Sequence, residues 1–252
     1  MPRAFTRAVS PRIAECQLTH LDRVPIDPAK AAAQHAAYEQ ALADAGFDIV
    51  RLPELADDPD AVFVEDTALI LGEHAVITRP GAPSRIGEVD STAEGLAGHF
   101  EIHRVTDGYV DGGDVLRIGR RLYVGLSTRT DRAGVAALAD LVALLGYEVV
   151  EAKAGACLHL KTGATLAADG LLLYDPAAID PAQFSGIEPF AVEEPAAANC
   201  VLAGDLMILP ASNPRTADKL RARGLNVVEV AVSELQKAEA GVTCMSLIDD
   251  RI

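Results

Sequence analysis

The side chains able to do chemistry are a cysteine, a histidine and two pairs of carboxylates, spread over most of the sequence. Cys244 lies in Gly241-Val242-Thr243-Cys244-Met245-Ser246-Leu247, among small and polar neighbours. His159 stands in an apolar stretch read as a strand, between Leu158 and Leu160. Glu65-Asp66 interrupts a second apolar run, and Asp111-Gly112-Gly113-Asp114 puts two more carboxylates at a strand entry, with Gly-Gly permitting close approach. Singly, each has an ordinary structural explanation: a buried inert thiol, a satisfied core histidine, carboxylates in salt bridges. Together they are the parts needed to attack a cationic carbon. Carboxylates hold a planar guanidinium by forked hydrogen bonds, and a thiolate adds to its carbon. A cation bound beside the sulfur lowers the thiol pKa.

Composition excludes other classes. The 252 residues carry 22 Lys plus Arg against 37 Asp plus Glu, a formal charge of −15, with 50% apolar and 23% charged residues, the balance of a globular protein. With that charge, 4% aromatics and no Trp, neither counterion release nor base stacking has its usual residues, so no nucleic-acid partner is expected. No apolar run approaches the ~18 residues of a membrane span. Glu15 and Cys16 arrive before a signal-peptide core could form, so a cytoplasmic protein without a membrane partner is expected. The four cysteines, Cys16, Cys157, Cys200 and Cys244, show no CxxC spacing and are expected to be free thiols.

The elements that must position these groups are marked by punctuation. Asp27-Pro28 opens a helix over 31–45 that Gly46 ends; Thr130-Asp131 opens one that runs to Gly146; Asn213-Pro214 opens one that runs to Gly224; a weaker helix covers 85–98. Each is followed by a β-branched stretch, at 47–52, 147–150, 225–230 and 100–105. Between them lie hairpins: 62–71 with 75–78, 114–118 with 122–126, 163–168 with 171–174 through Asp169-Gly170, and 198–203 with 206–210. The unit hairpin, helix, strand thus recurs four times at a loose period, and the chain ends can supply a fifth. Spacing alone leaves radial repetition and a plain layered α/β domain both open. No linker-like tract divides the chain, so one domain is expected.

The strings DAVFVED at 60–66, TRPGAPSR at 78–85, DGGD at 111–114, LHLKTG at 158–163, ANC at 198–200 and TCMS at 243–246 are similar to those of the dimethylarginine dimethylaminohydrolases, in the amidinotransferase (pentein) superfamily. They occur in the family's order and span nearly the whole chain. The resemblance implies one pentein catalytic domain over 1–252, a five-bladed α/β propeller of ββαβ units with the active site on the pseudo-fivefold axis. It implies hydrolysis of Nω-methylated arginine to citrulline and an alkylamine, a cationic guanidino amino acid as partner, no metal or organic cofactor, and a monomer or homodimer.

By matched position, Cys244 resembles the nucleophile and His159 the general acid and base. Asp111 resembles the carboxylate that orients and charges the histidine, where some relatives carry Glu. Asp66 resembles the carboxylate that grips the guanidinium, with Asp60, Phe63 and Glu65 as further pocket residues. Arg85 and Arg129 resemble binders of the substrate's amino-acid end, and Leu18 and the Ala238 carbonyl match other substrate contacts. Two rivals remain at this stage: an arginine or agmatine deiminase of the same superfamily, and a non-catalytic arginine-binding protein that kept the pocket.

Overall fold

The computed structural model describes every residue except Ala156, Asp169, Asp250 and Ile252; the Asp169 half of the expected Asp169-Gly170 turn therefore lies outside the described residues. Five three-stranded sheets are present among those residues. The first contains β1 (Arg3–Thr6) and β2 (Asp48–Arg51). The second is β3 (Ala68–Leu71), β4 (His74–Ile77) and β5 (Glu101–Arg104), and the third β6 (Val115–Ile118), β7 (Arg121–Gly125) and β8 (Glu148–Ala152). The fourth is β9 (Ala164–Ala168), β10 (Leu171–Tyr174) and β11 (Glu188–Ala191). The fifth is β12 (Val201–Ala203), β13 (Leu206–Pro210) and β14 (Asn226–Val230). Last, β15 (Leu247–Asp249) pairs antiparallel with β1, Arg3 opposite Asp249, and so completes the first sheet from the other end of the chain.

Each sheet follows one rule. An inner strand pairs antiparallel with the middle strand, as Val115 with Val124, and the middle strand pairs parallel with the outer one, as Leu122 with Val149. Parallel pairing requires a crossover, and helices supply it: α1 (Pro28–Asp44), α2 (Glu88–Leu96), α3 (Arg132–Ala143) and, in the fifth sheet, α5 (Pro214–Ala222). In the fourth sheet the crossover holds only a 3₁₀ turn at Pro181–Gln183. The short helix α4 (Leu160–Gly163) leads into β9, and α6 (Ser233–Gln236) follows β14.

The sequence dictates these boundaries locally. The Asp27 carboxylate accepts from the N–H groups of Ala29 and Lys30, at 2.9 and 3.1 Å, ahead of Pro28, and a cap of this kind stabilises a helix by about 1 kcal/mol. Asp131 caps α3 through the Gly134 N–H at 2.7 Å. The hairpin glycines Gly72, Gly119, Gly170 and Gly204 have φ of 63°, 59°, 75° and 65°, the left-handed region such tight turns demand. The cores sit between neighbouring sheets and under the helices; Tyr38 and Leu42 of α1, fully buried, pack with Ile208 of β13 and Met245. Tyr38 Oη also lies 2.6 Å from Ser246 Oγ, tying α1 to the segment that carries Cys244.

Candidate active site

Every inner strand is entered through one tight helical turn, and these five turns form the site. They are Val64–Thr67 before β3, Gly112–Asp114 before β6, α4 before β9, Pro195–Ala198 before β12 and Thr243–Met245 before β15. Two expectations are corrected here. Glu65 and Asp66 do not lie in a strand: the strand begins at Ala68, and the preceding turn aims their carboxylates at neighbouring turns. Likewise His159 is the N-cap residue of α4, not part of a strand.

Hydrogen bonds join the turns into a ring. The Gly113 N–H donates to Asp66 Oδ1 at 3.1 Å, and the Leu160 N–H to Asp114 Oδ1 at 3.0 Å. Asn199 Nδ2 donates to the Lys161 carbonyl at 2.9 Å and to Thr243 Oγ1 at 2.9 Å. Thr243 Oγ1 in turn donates to Glu65 Oε2 at 2.8 Å, which returns to the first turn. Lys161 Nζ, 2.7 Å from Glu65 Oε1, braces the ring across its width. Close packing requires glycine: a Cβ on Gly112 would stand 2.0 Å from the Glu65 carbonyl.

A cavity of about 30 Å³ at this ring is lined by Asp60, Phe63, Asp66, Arg85, Arg129, His159, Ala238 and Cys244, together with Gln17, Leu158, Glu239 and Ala240. Most of the expected residues therefore share one void. Leu18 instead packs on the apolar cluster around α1, while its neighbour Gln17 reaches the wall. Glu65 faces a second cavity, about 410 Å³, walled by the inner strands and reached also by Lys161 and Thr243.

His159 Nε2 lies 3.0 Å from Asp111 Oδ2, and Asp111 Oδ1 accepts from the Gly81 N–H at 2.8 Å. An ionised carboxylate only accepts, so Nε2 carries a hydrogen and Nδ1, 3.8 Å from Asp66 Oδ1, is the nitrogen left to exchange a proton. Burial works against charging the imidazole, but the carboxylates of Asp66, Asp111 and Asp114 outweigh it and raise its pKa to about 9. For Asp66, burial is likewise overcome, by the charges of His159 and Arg85 and by hydrogen bonds, and its carboxyl is held below the usual range. Burial raises Asp60, against Arg85 and the Gln17 N–H. Burial and the Glu65 and Asp66 carboxylates push the half-buried Cys244 thiol well above its ordinary value, although the Gly241 N–H reaches Sγ at 3.4 Å. The free site thus pairs a neutral thiol with an imidazolium.

Arg85 lines the cavity but spends most of its hydrogens on the protein itself. It donates to Asp66 Oδ2 at 2.5 Å, to both Glu88 oxygens at 3.0 and 2.8 Å and to the Phe63 carbonyl at 2.8 Å. These bonds use four of its five hydrogens. The half-buried Arg129 side chain donates to Thr19 Oγ1 at 3.1 Å, at the mouth. There the Glu239 carboxylate accepts from the N–H groups of Thr19, His20 and Leu21, pinning that loop over the cavity. Asp66, Asp111 and His159 are close enough to share a cation, but their atoms are already committed to each other, to Gly81 and Gly113 N–H and to Arg85. Sequence reasoning assigned no part to Asn199, Thr243, Lys161 or Glu239; a neutral Asn or Thr carries no titratable signal to find it by.

No protein-family model matches the sequence. The chain is 38% identical over 248 residues to the N(G),N(G)-dimethylarginine dimethylaminohydrolase of Streptomyces coelicolor, covering 97% of this chain and 96% of that protein. It is 36% identical over 226 residues to the protein of the same name from Pseudomonas aeruginosa, covering 88% and 89%. The solved structure of a cysteine-to-serine variant of the Pseudomonas aeruginosa enzyme complexed with citrulline superposes with a TM-score of 0.93 at 33% identity, over 98% of this chain and 99% of that one. With this similarity along its whole length, and with a pentein propeller whose axis gathers a cysteine, a histidine and carboxylates, the chain belongs to the dimethylarginine dimethylaminohydrolase family.

Proposed function

We propose that this protein hydrolyses Nω-methylated arginine to citrulline and dimethylamine or methylamine through a covalent thiouronium on Cys244. One observation carries the reading: Cys244, His159 and the carboxylates Asp60 and Asp66 line a single cavity. The resting thiol is neutral, and a guanidinium entering beside it supplies the positive charge that makes the thiolate accessible. The Sγ proton passes to solvent as the cation binds, and the thiolate adds to the guanidinium carbon. His159, already protonated and held by Asp111, gives its Nδ1 proton to the departing amine. The C–N bond breaks and leaves the thiouronium; neutral His159 then takes a proton from water as its oxygen adds to the same carbon. Expulsion of the thiolate, which takes up the remaining hydroxyl proton and so returns to the neutral thiol, leaves the carbonyl of citrulline. Asp66 and Asp60 oppose the desolvation cost of a buried cation. Arg129 at the mouth is the cation placed to meet the substrate's carboxylate.

We read the chain as one catalytic domain over 1–252, because the ring takes a turn from every sheet. A monomer or homodimer in the cytoplasm is proposed with it; no described helix is long and apolar enough to cross a membrane. The test is a product assay with dimethylarginine, arginine and agmatine in parallel. Citrulline plus dimethylamine from the first supports the reading; turnover of unmethylated arginine alone overturns it.

A further inference from the structure

On the periphery of the second sheet, β5 is the outer strand and runs parallel to β4, with His74 opposite Glu101 and Val76 opposite His103. Residues two apart on a strand project from the same face, so Glu101 and His103 stand beside His74. His74 Nδ1 lies 3.1 Å from His103 Nε2 and 3.2 Å from Glu101 Oε2, and the other Glu101 oxygen lies 3.7 Å from His103 Nε2. The two rings meet near edge-on, 62° apart with centroids at 5.0 Å. All three donor atoms fall within 4.8 Å of one another.

Hydrogen bonding alone satisfies this triangle poorly. A proton on His103 Nε2 given to His74 Nδ1 leaves that nitrogen's occupied lone pair facing a carboxylate oxygen. A proton on His74 Nδ1 given to Glu101 leaves His103 Nε2 without it, unless the bond is bent and shared. A cation at the centre satisfies all three lone pairs at once. The spacing also fits: zinc–ligand bonds of about 2.0–2.1 Å in a tetrahedron set neighbouring donor atoms about 3.3–3.4 Å apart. Two imidazoles with one carboxylate suit zinc, cobalt, nickel or copper rather than magnesium or calcium. The side chains are 28%, 23% and 67% exposed, so an ion can enter and a fourth position faces solvent.

We propose that His74, Glu101 and His103 form a surface binding site for a divalent transition-metal ion, remote from the catalytic cavity, with a coordination position left open to water. None of the three belongs to the catalytic ring, so the site is independent of the hydrolysis proposed above.

The experiment titrates Co²⁺ into the full chain carrying Cys244→Ser, which removes the active-site thiol as a competing ligand, and follows visible absorption. One bound equivalent is expected, with ligand-field bands of a nitrogen and oxygen site. Replacing His103 with Gln in that background should weaken binding by about tenfold or more, since even outer partners of metal ligands cost that much. His74→Gln plus His103→Gln should abolish it, while in the parent background the double variant hydrolyses substrate as before. Zn²⁺ should raise the melting temperature by clamping β4 to β5, and the double variant should lose the rise. Absence of saturable Co²⁺ binding up to millimolar concentration overturns the proposal. So does binding that survives the double replacement, which would place the ion at Asp66, Asp111 and His159 instead.

Discussion

Asn199 and Thr243 hold each other by a reciprocal pair of hydrogen bonds, Nδ2 to Oγ1 at 2.9 Å and the Thr243 N–H to Oδ1 at 3.0 Å. Thr243 adjoins Cys244, so this pair fixes the turn that aims the sulfur. A third bond, from Asn199 to the Lys161 carbonyl at 2.9 Å, ties the same amide to the turn capped by His159. Asn199 is therefore a positioning residue for nucleophile and acid together. Asn199→Ala strands buried polar groups, which costs about 1–3 kcal/mol of stability, and kcat should fall more than KM rises. Steady-state kinetics beside urea denaturation separate the two effects; a kcat equal to the parent's would remove Asn199 from this role.

Because the resting thiol is neutral and lined by carboxylates, its reactivity should depend on the charge of what approaches. A cationic haloacetamidine should alkylate Cys244 much faster than the neutral haloacetamide of the same size. Cys244→Ala should form no adduct and no citrulline, and His159→Asn should lose roughly 10²-fold or more in turnover. Equal rates for the two alkylating agents, measured by intact mass, would show that substrate charge does not activate the sulfur.

How much of this was legible in the sequence follows the physics of each signal. Helices that open on Asp27-Pro28 and Asp131 were readable because capping is local. The apolar run at 62–71 was read as one strand, yet its first part is a turn ending at Thr67, because the Glu65 and Asp66 carboxylates find partners only where the backbone turns toward neighbouring sheets. Apolar content cannot locate such a boundary. His159 was placed in a strand for the same reason. Arg85 was matched to a substrate contact by resemblance, and nothing in its local string reveals that Glu88, three residues on, takes its Nε and one Nη while Asp66 takes the other. Whether the repeat closes radially became decidable only once β15 paired with β1.

That difference between the two arginines has a measurable consequence. Arg85→Ala leaves Glu88 buried without its cation and strips Asp66 of one of its partners, a loss of about 3–5 kcal/mol in stability. Arg129→Ala, at the mouth, should leave the melting temperature unchanged and raise KM for dimethylarginine. If Arg85→Ala unfolds with the parent while only KM rises, its contact is with substrate and not with the ring.

The raised pKa of His159 links the site to stability with a definite sign. Its value in the folded protein is about 9 against an ordinary 6.5, so its stabilisation is complete below ~6.5 and is lost as pH climbs through about 9. Urea midpoints should fall across that window in the parent and stay flatter in His159→Gln. Asp111→Asn keeps a hydrogen-bonding partner but removes a charge, so the imidazole titration, followed by NMR, should move down from about 9. A titration unchanged by Asp111→Asn would assign the shift to Asp66 and Asp114.

A missing methyl group constrains the imidazole directly. A Cβ added to Gly113 would lie 2.6 Å from His159 Nδ1 and 2.8 Å from Asp66 Oδ1, inside any contact real carbons make. Gly113 is not in the left-handed region, so alanine meets no backbone penalty there and acts by contact alone. Gly113→Ala must push the imidazole away from Asp66, or the carboxylate away from the Gly113 N–H that it accepts at 3.1 Å. Overpacking of this kind costs about 1–3 kcal/mol, and displacing the acid from its working geometry should cost far more in kcat than in stability. Gly98→Ala, where an added carbon meets nothing within 4 Å, is the matched control and should behave as the parent. If Gly113→Ala retains full turnover, the proton donor does not depend on the Nδ1 position seen here, and the assignment of Nδ1 as the exchanging nitrogen falls with it.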